Sequence, residues 1–168
     1  MNHVTDFLTL VGWIDAALIV AGLLYGIYLW GSGIAPVLLR LGNGLAKRKI
    51  AIFAKGDNLT SLRRLLGDSK LFPAKNILEV PSERDLECAK DASLYLVYWP
   101  DWHDHIEEIL HRKPDECALL VYQPYDQGRI SEELMKRLDG KRHTAVTNFR
   151  GRLLNDIVTS IITTSYEG

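Results

Sequence analysis

The chain has 168 residues, a formal charge of −1 and 24% charged residues. That balance excludes a strongly basic nucleic-acid binder, and two cysteines, Cys88 and Cys117, exclude a disulfide framework or a C-x-x-C metal clip. The distribution is uneven: of 20 Lys and Arg all but Arg40 follow residue 41, and so do all acids except Asp6 and Asp15.

The first element is Phe7 to Leu41, FLTLVGWIDAALIVAGLLYGIYLWGSGIAPVLLRL. About 20 apolar residues in a helix cross a hydrocarbon core of about 30 Å, so residues 1–41 read as a transmembrane helix, long enough to tilt or to run past the bilayer. A cleaved signal peptide is not expected, because MNHVTDF has no basic n-region and no A-x-A site follows. Arg40, Lys47, Arg48 and Lys49 all lie on the carboxyl side. The positive-inside rule therefore puts the amino end outside and the rest of the chain in the cytoplasm, with the inner (plasma) membrane as its location.

At 100° per residue, Asp15, Gly22, Gly26 and Gly33 project within about 40° of one another. Gly22-x-x-x-Gly26 is the small-x-x-x-small pattern by which helices approach closely in lipid, and an ionisable Asp15 in such a segment faces protein or water. A homo-oligomer or a membrane-protein partner is the expectation, with Asp15, Gly22, Gly26 and Gly33 as its determinants. Pro36, after Gly31-Ser32-Gly33, is expected to kink the helix over residues 32–36. Gly42-Asn43-Gly44 and the basic cluster at residues 47–49 make residues 42–48 a juxtamembrane linker resting on anionic headgroups.

From Lys49 the pattern becomes that of alternating strands and helices. Strands are expected at residues 50–54, 76–80, 92–99, 117–122 and 143–149. Helices are expected at 59–66 (capped by Asp57 or Asn58), 82–89 (opened by the Ser82-x-x-Asp85 capping box), 105–112, 128–138 and 150–166. Both cysteines are expected as small buried residues. The alternation predicts one domain at 49–168: an α/β, three-layer fold with a five-stranded parallel sheet in the flavodoxin-like order 2-1-3-4-5.

Ligands of such sheets bind beyond the carboxyl ends of the strands, at the switch point between strands one and three. That places Lys55, Gly56, Asp57 and Asn58 opposite Trp99, Asp101 and Trp102, with Gln123 in reach from strand four. An aromatic pair, a base, an acid and an amide suit a nucleotide-like ligand; the alternative is ordinary capping and turn chemistry. No Gly-rich phosphate loop and no G-x-S-x-G elbow is present, so no catalytic residue is named and no cofactor is identified. His103 and His111 lie about 12 Å apart on a helix, too far to share a metal. Asn148, Arg150 and Arg152 open the last helix, where two guanidiniums suit an anion or a partner's acid. Arg152 with Asp156, one turn on, is the competing pairing.

The βα order resembles the group that includes response-regulator receivers and TIR domains. Tyr98-Trp99 and Asn148 stand where receivers place their phospho-accepting Asp and their Lys, whereas Ile52-Phe53-Ala54-Lys55, followed by Asp57, resembles the first TIR box. That resemblance implies cleavage of NAD through Glu107 or Glu108. An amino-terminal spanning helix joined to a small α/β domain resembles, in layout, membrane effectors of prokaryotic antiviral signalling. The expectation is therefore a non-enzymatic membrane signalling or effector protein that assembles through its helix and receives a signal or partner on its cytosolic domain. A membrane-anchored nucleotide sensor and a TIR-like NAD-cleaving enzyme are the alternatives.

Overall fold

The computed structural model describes residues 2–36, 42, 45 and 47–166. The chain divides into two compact units, residues 1–43 and 44–168. Arg40, Leu41, Asn43 and Gly44, part of the expected anchor end and linker, lie outside the described residues.

The first unit is helix α1, Asn2–Leu29, continued by a π-helical turn over Trp30–Ile34. Its Gly12–Gly33 stretch is long and apolar enough to cross a membrane, and none of it is buried within the structure. Where a proline kink is expected, the backbone widens into a π turn. Pro36 has no N–H and its ring crowds the carbonyl four residues back. The turn ahead of it takes i→i+5 bonding, with the Ala35 N–H donating to the Trp30 carbonyl. Gly22 and Gly26 keep straight α-helical geometry, whereas Gly33 is presented from this wider turn.

In the second unit the strands are β1 (Ile50–Phe53), β2 (Ile77–Val80), β3 (Leu94–Tyr98), β4 (Ala118–Tyr122) and β5 (Thr144–Thr147). All four pairings are parallel, in the order β2-β1-β3-β4-β5. The central strands IAIF, LYLVY and ALLVY are buried at every position, as continuous apolar runs covered on both faces must be. Helices α2 (Gly56–Asp68) and α6 (Arg150–Tyr166) cover one face. There Leu62 and Leu66, with Leu153, Ile157 and Ile161, pack on Ile50, Ile52, Leu94, Leu96 and Leu120. The alternate residues, Ala51, Phe53, Val97, Leu119 and Val121, meet a second core on the opposite face. It is built from the 3-10 segment Glu83–Ala89, the short helix α3 (Trp99–Trp102), α4 (Ile106–Arg112) and α5 (Glu132–Asp139). Each fully buried Leu, Ile or Phe contributes about 1.5–3 kcal/mol of transfer free energy, so the two interleaved cores hold the layers together.

Several local expectations are corrected. The second helix starts at Gly56 rather than Leu59, with Lys55 and neither Asp57 nor Asn58 at its cap position, and an acid from another segment accepts the Lys55 amide. Ser82 and Asp85 do bond, with the Ser82 hydroxyl 2.6 Å from the carboxylate, but they open a 3-10 segment. Three residues per turn face Leu86 and Ala89 inward, which leaves Cys88 exposed rather than buried. The expected 105–112 helix begins after a separate helical piece and a 3-10 turn, His103–His105. Leu45, in the expected linker, is buried in the α2/α6 core, so part of 42–48 belongs to the folded unit.

Candidate functional sites

The switch point between β1 and β3 gathers Lys55, Asn58, Asp101 and Trp102. Asp101 sits in α3, at the carboxyl end of β3, and its Oδ2 accepts the Lys55 backbone N–H at 2.8 Å. Asn58 Nδ2 donates to both carboxylate oxygens at 3.3 Å. One side chain from β3's exit thus satisfies the start of α2, where amides and helix dipole favour a negative charge. The chain's own carboxylate thus lies beside the start of α2.

Above it the Lys55 Nζ lies 5.5 Å from the centre of the Trp102 ring. Trp102 is fully buried, edge-on to Phe53 with centroids 5.4 Å apart and to His105 at 5.6 Å. Its indole Nε1 has no hydrogen-bond partner among the described residues. Trp99 is also buried. Gly56 takes φ +51 with open space where a Cβ would stand, and Asp57 is exposed.

Gln123 does not reach this cluster. Its amide donates to the Gly128 carbonyl and ties down the loop after β4. Gly128 has φ +74, and a Cβ there would lie 3.7 Å from Trp99 Nε1, so the loop passes close over Trp99. Tyr98 donates its hydroxyl to Gln127 at 2.7 Å in the same closure. Burial, and next the Asp101 charge, raise the Tyr98 phenol above its ordinary pKa. Nothing in the sequence marks the contacts of Tyr98, Gln127 and Ser61, because their partners are distant in the chain.

Arg150 and Arg152 do not converge. Arg150 donates to the Ser61 hydroxyl at 2.8 Å and to the Ser61 carbonyl at 3.3 Å, fastening α6 to α2. Arg152 instead lines a polar groove of about 300 Å³ beside β5, together with Thr147, Asn148, Phe149, Asp156 and Ser160. Among the described residues, Arg152 and Asp156 form no ion pair with each other.

Several other titratable groups are held in pairs. Glu107 pairs with Arg137, and Glu108 with Arg112 at 2.9 Å. His105 lies 3.0 Å from Glu83, and among the described residues no three His, Cys, Asp or Glu side chains are placed to hold a metal ion. Burial pushes the Cys117 thiol up to about 12 and the Tyr95 phenol likewise to about 12, so both are protonated and inert at neutral pH. The Lys113 ammonium, lowered by burial, donates to the Cys117 carbonyl at 2.7 Å.

On α1 the side chains of Ile19, Leu23, Ile27 and Trp30 wall a groove floored by Gly22 and Gly26. A Cβ built on either glycine would meet no heavy atom within 4 Å. Asp15 is exposed on the same helix.

No protein family, curated protein or solved structure matches this chain.

Proposed function

We propose that this chain is a single-pass membrane signalling protein that assembles through α1 and receives a signal or a partner on its α/β unit. The observation that carries this reading is the open groove over Gly22 and Gly26 on a helix with no buried position in its apolar span. Lipid supplies no hydrophobic drive between helices, so a small-floored, large-walled groove gains its stabilisation from another helix packed closely into it. Asp15 gives the same helix a polar group that protein or water has to satisfy. The basic residues Lys47, Arg48 and Lys49 orient the α/β unit to the cytoplasm.

Within that unit the geometry favours a protein partner over a nucleotide. A phosphate arriving at the start of α2 would compete with the Asp101 carboxylate for the Lys55 amide, so Asp101 opposes nucleotide sensing through Lys55, Asp57, Trp99 and Trp102. Cleavage of NAD would need Glu107 or Glu108 released from its arginine. A role in antiviral defence rests on the resemblance of layout alone.

The test is the mass of the full-length chain in mild detergent. The wild type is expected to run as a discrete oligomer, and Gly22→Leu/Gly26→Leu, which fills the groove, as a species of lower order. Equal masses for the two would remove the assembly claim.

A further inference from the structure

We propose that the groove between β5 and α6 is a second contact between copies of this chain, in which two β5 edges pair antiparallel across a two-fold axis. Among the described residues β5 pairs with β4 alone, so Thr144–Thr147 has no strand partner on its outer side there. Natural sheet edges are blunted by lysines, prolines or bulges. The sequence Thr144-Ala145-Val146-Thr147 has none of these, and Ala145 is exposed. The opposite edge is protected: β2 is followed directly by Pro81, carries Glu79 in an ion pair with Arg63, and is flanked by 3-10 segments at Ala74–Asn76 and Glu83–Ala89.

The flank of α6 identifies the occupant. Leu153, Ile157 and Ile161 face the sheet, whereas Arg152, Asp156 and Ser160 line the groove beside β5. Arg152 and Asp156 are one turn apart, opposite in charge, and without an ion-pair partner among the described residues. A two-fold axis perpendicular to α6 and passing midway between the two residues runs the α6 helices antiparallel and sets Arg152 of each copy opposite Asp156 of the other. A surface carrying one base and one acid in that order is complementary to itself. Phe149, 63% exposed at the groove's end, supplies an apolar anchor. Gly151 lets its ring lie there, since a Cβ at 151 would come 2.7 Å from Phe149 Cε1.

The experiment uses the full-length chain in membranes with Cys88→Ser and a new thiol at the edge, Ala145→Cys. Oxidation is expected to cross-link Ala145→Cys chains well above a Lys75→Cys control beside β2. Arg152→Asp alone and Asp156→Arg alone each oppose like charges across the axis, and each is expected to lower the yield by about fivefold or more. Co-expressing the two single variants restores opposite charges only between different copies, and the yield is expected to recover. That recovery has no explanation within one chain. A yield at the control level, or one unchanged by the reversals, overturns the proposal, including where groove variants disturb activity and so assign the groove to a different partner. None of these changes touches α1, so failure here leaves the Gly22/Gly26 claim to its own test.

Discussion

Trp102→Ala is expected to cost about 3–5 kcal/mol of stability, the range for removing a large aromatic side chain from a close-packed core. Trp102 is fully buried and meets Phe53 and His105 edge-on, while Lys55 lies over its ring. Nothing can refill that volume, because Phe53 is itself fixed in β1 and packed against Tyr95 at 5.0 Å. Trp102→Phe makes the argument sharper. The indole Nε1 has no partner among the described residues, so the phenyl ring forfeits no hydrogen bond and loses only part of the volume. Its cost is expected at about 1–2 kcal/mol. Urea unfolding of the three proteins measures both values. An Ala variant within about 1 kcal/mol of the wild type would contradict the described core, since an exposed or loosely held ring would be cut away at such a cost.

Asp101→Ala is expected to cost about 1–3 kcal/mol by a different route. It orphans the Lys55 amide and the Asn58 side chain together and removes the negative charge from the start of α2. Asp101→Asn keeps an acceptor for Lys55 and loses the charge, so it should fall between Ala and the wild type. A second reading comes from Tyr98. The Asp101 charge is the largest contribution after burial to the raised Tyr98 phenol, so in Asp101→Ala that phenol should titrate at lower pH than in the wild type. Ultraviolet titration of the phenolate reports it. A Tyr98 titration unmoved in Asp101→Ala would place the carboxylate elsewhere.

These two residues also mark where the sequence was legible and where it was not. Trp102 and Asp101 fall at the exit of β3, and strand order alone predicts that this exit faces the exit of β1. The order itself was readable because IAIF, LYLVY and ALLVY are unbroken apolar runs that suit only strands buried on both faces. What sequence could not supply was the pairing inside the crevice. Lys55 and Asp101 are far apart in the chain, and an acid after a strand reads equally well as a ligand group or as a cap. The structure makes it a cap for a neighbouring helix.

The Ser82-x-x-Asp85 pattern predicts an α-helix over 82–89, but with Leu86 and Ala89 at i and i+3 so short a stretch suits the 3-10 period as well. Edge strands were overextended for a related reason. Within residues 143–149 the strand itself spans Thr144–Thr147, with the His143 carbonyl still accepting the Leu119 amide at 2.8 Å, and Asn148 and Phe149 lead into α6. The groove they help to line with Arg152 and Asp156 depends on the side of β5 left open. The Pro36 region shows the same limit, since proline signals a disturbance of the ladder and not the π turn through which it is accommodated.

The central claim is that copies of this chain meet through the Gly22/Gly26 face of α1. Single cysteines placed in turn from Leu18 to Leu29 of the full-length chain in its membrane, on a Cys88→Ser background, test it most directly. Cross-linking yield should rise and fall with the helical period, highest at Gly22 and Gly26 and lowest at Leu24 and Tyr28 on the opposite side. A yield flat along the helix, or highest at Leu24 and Tyr28, would contradict it.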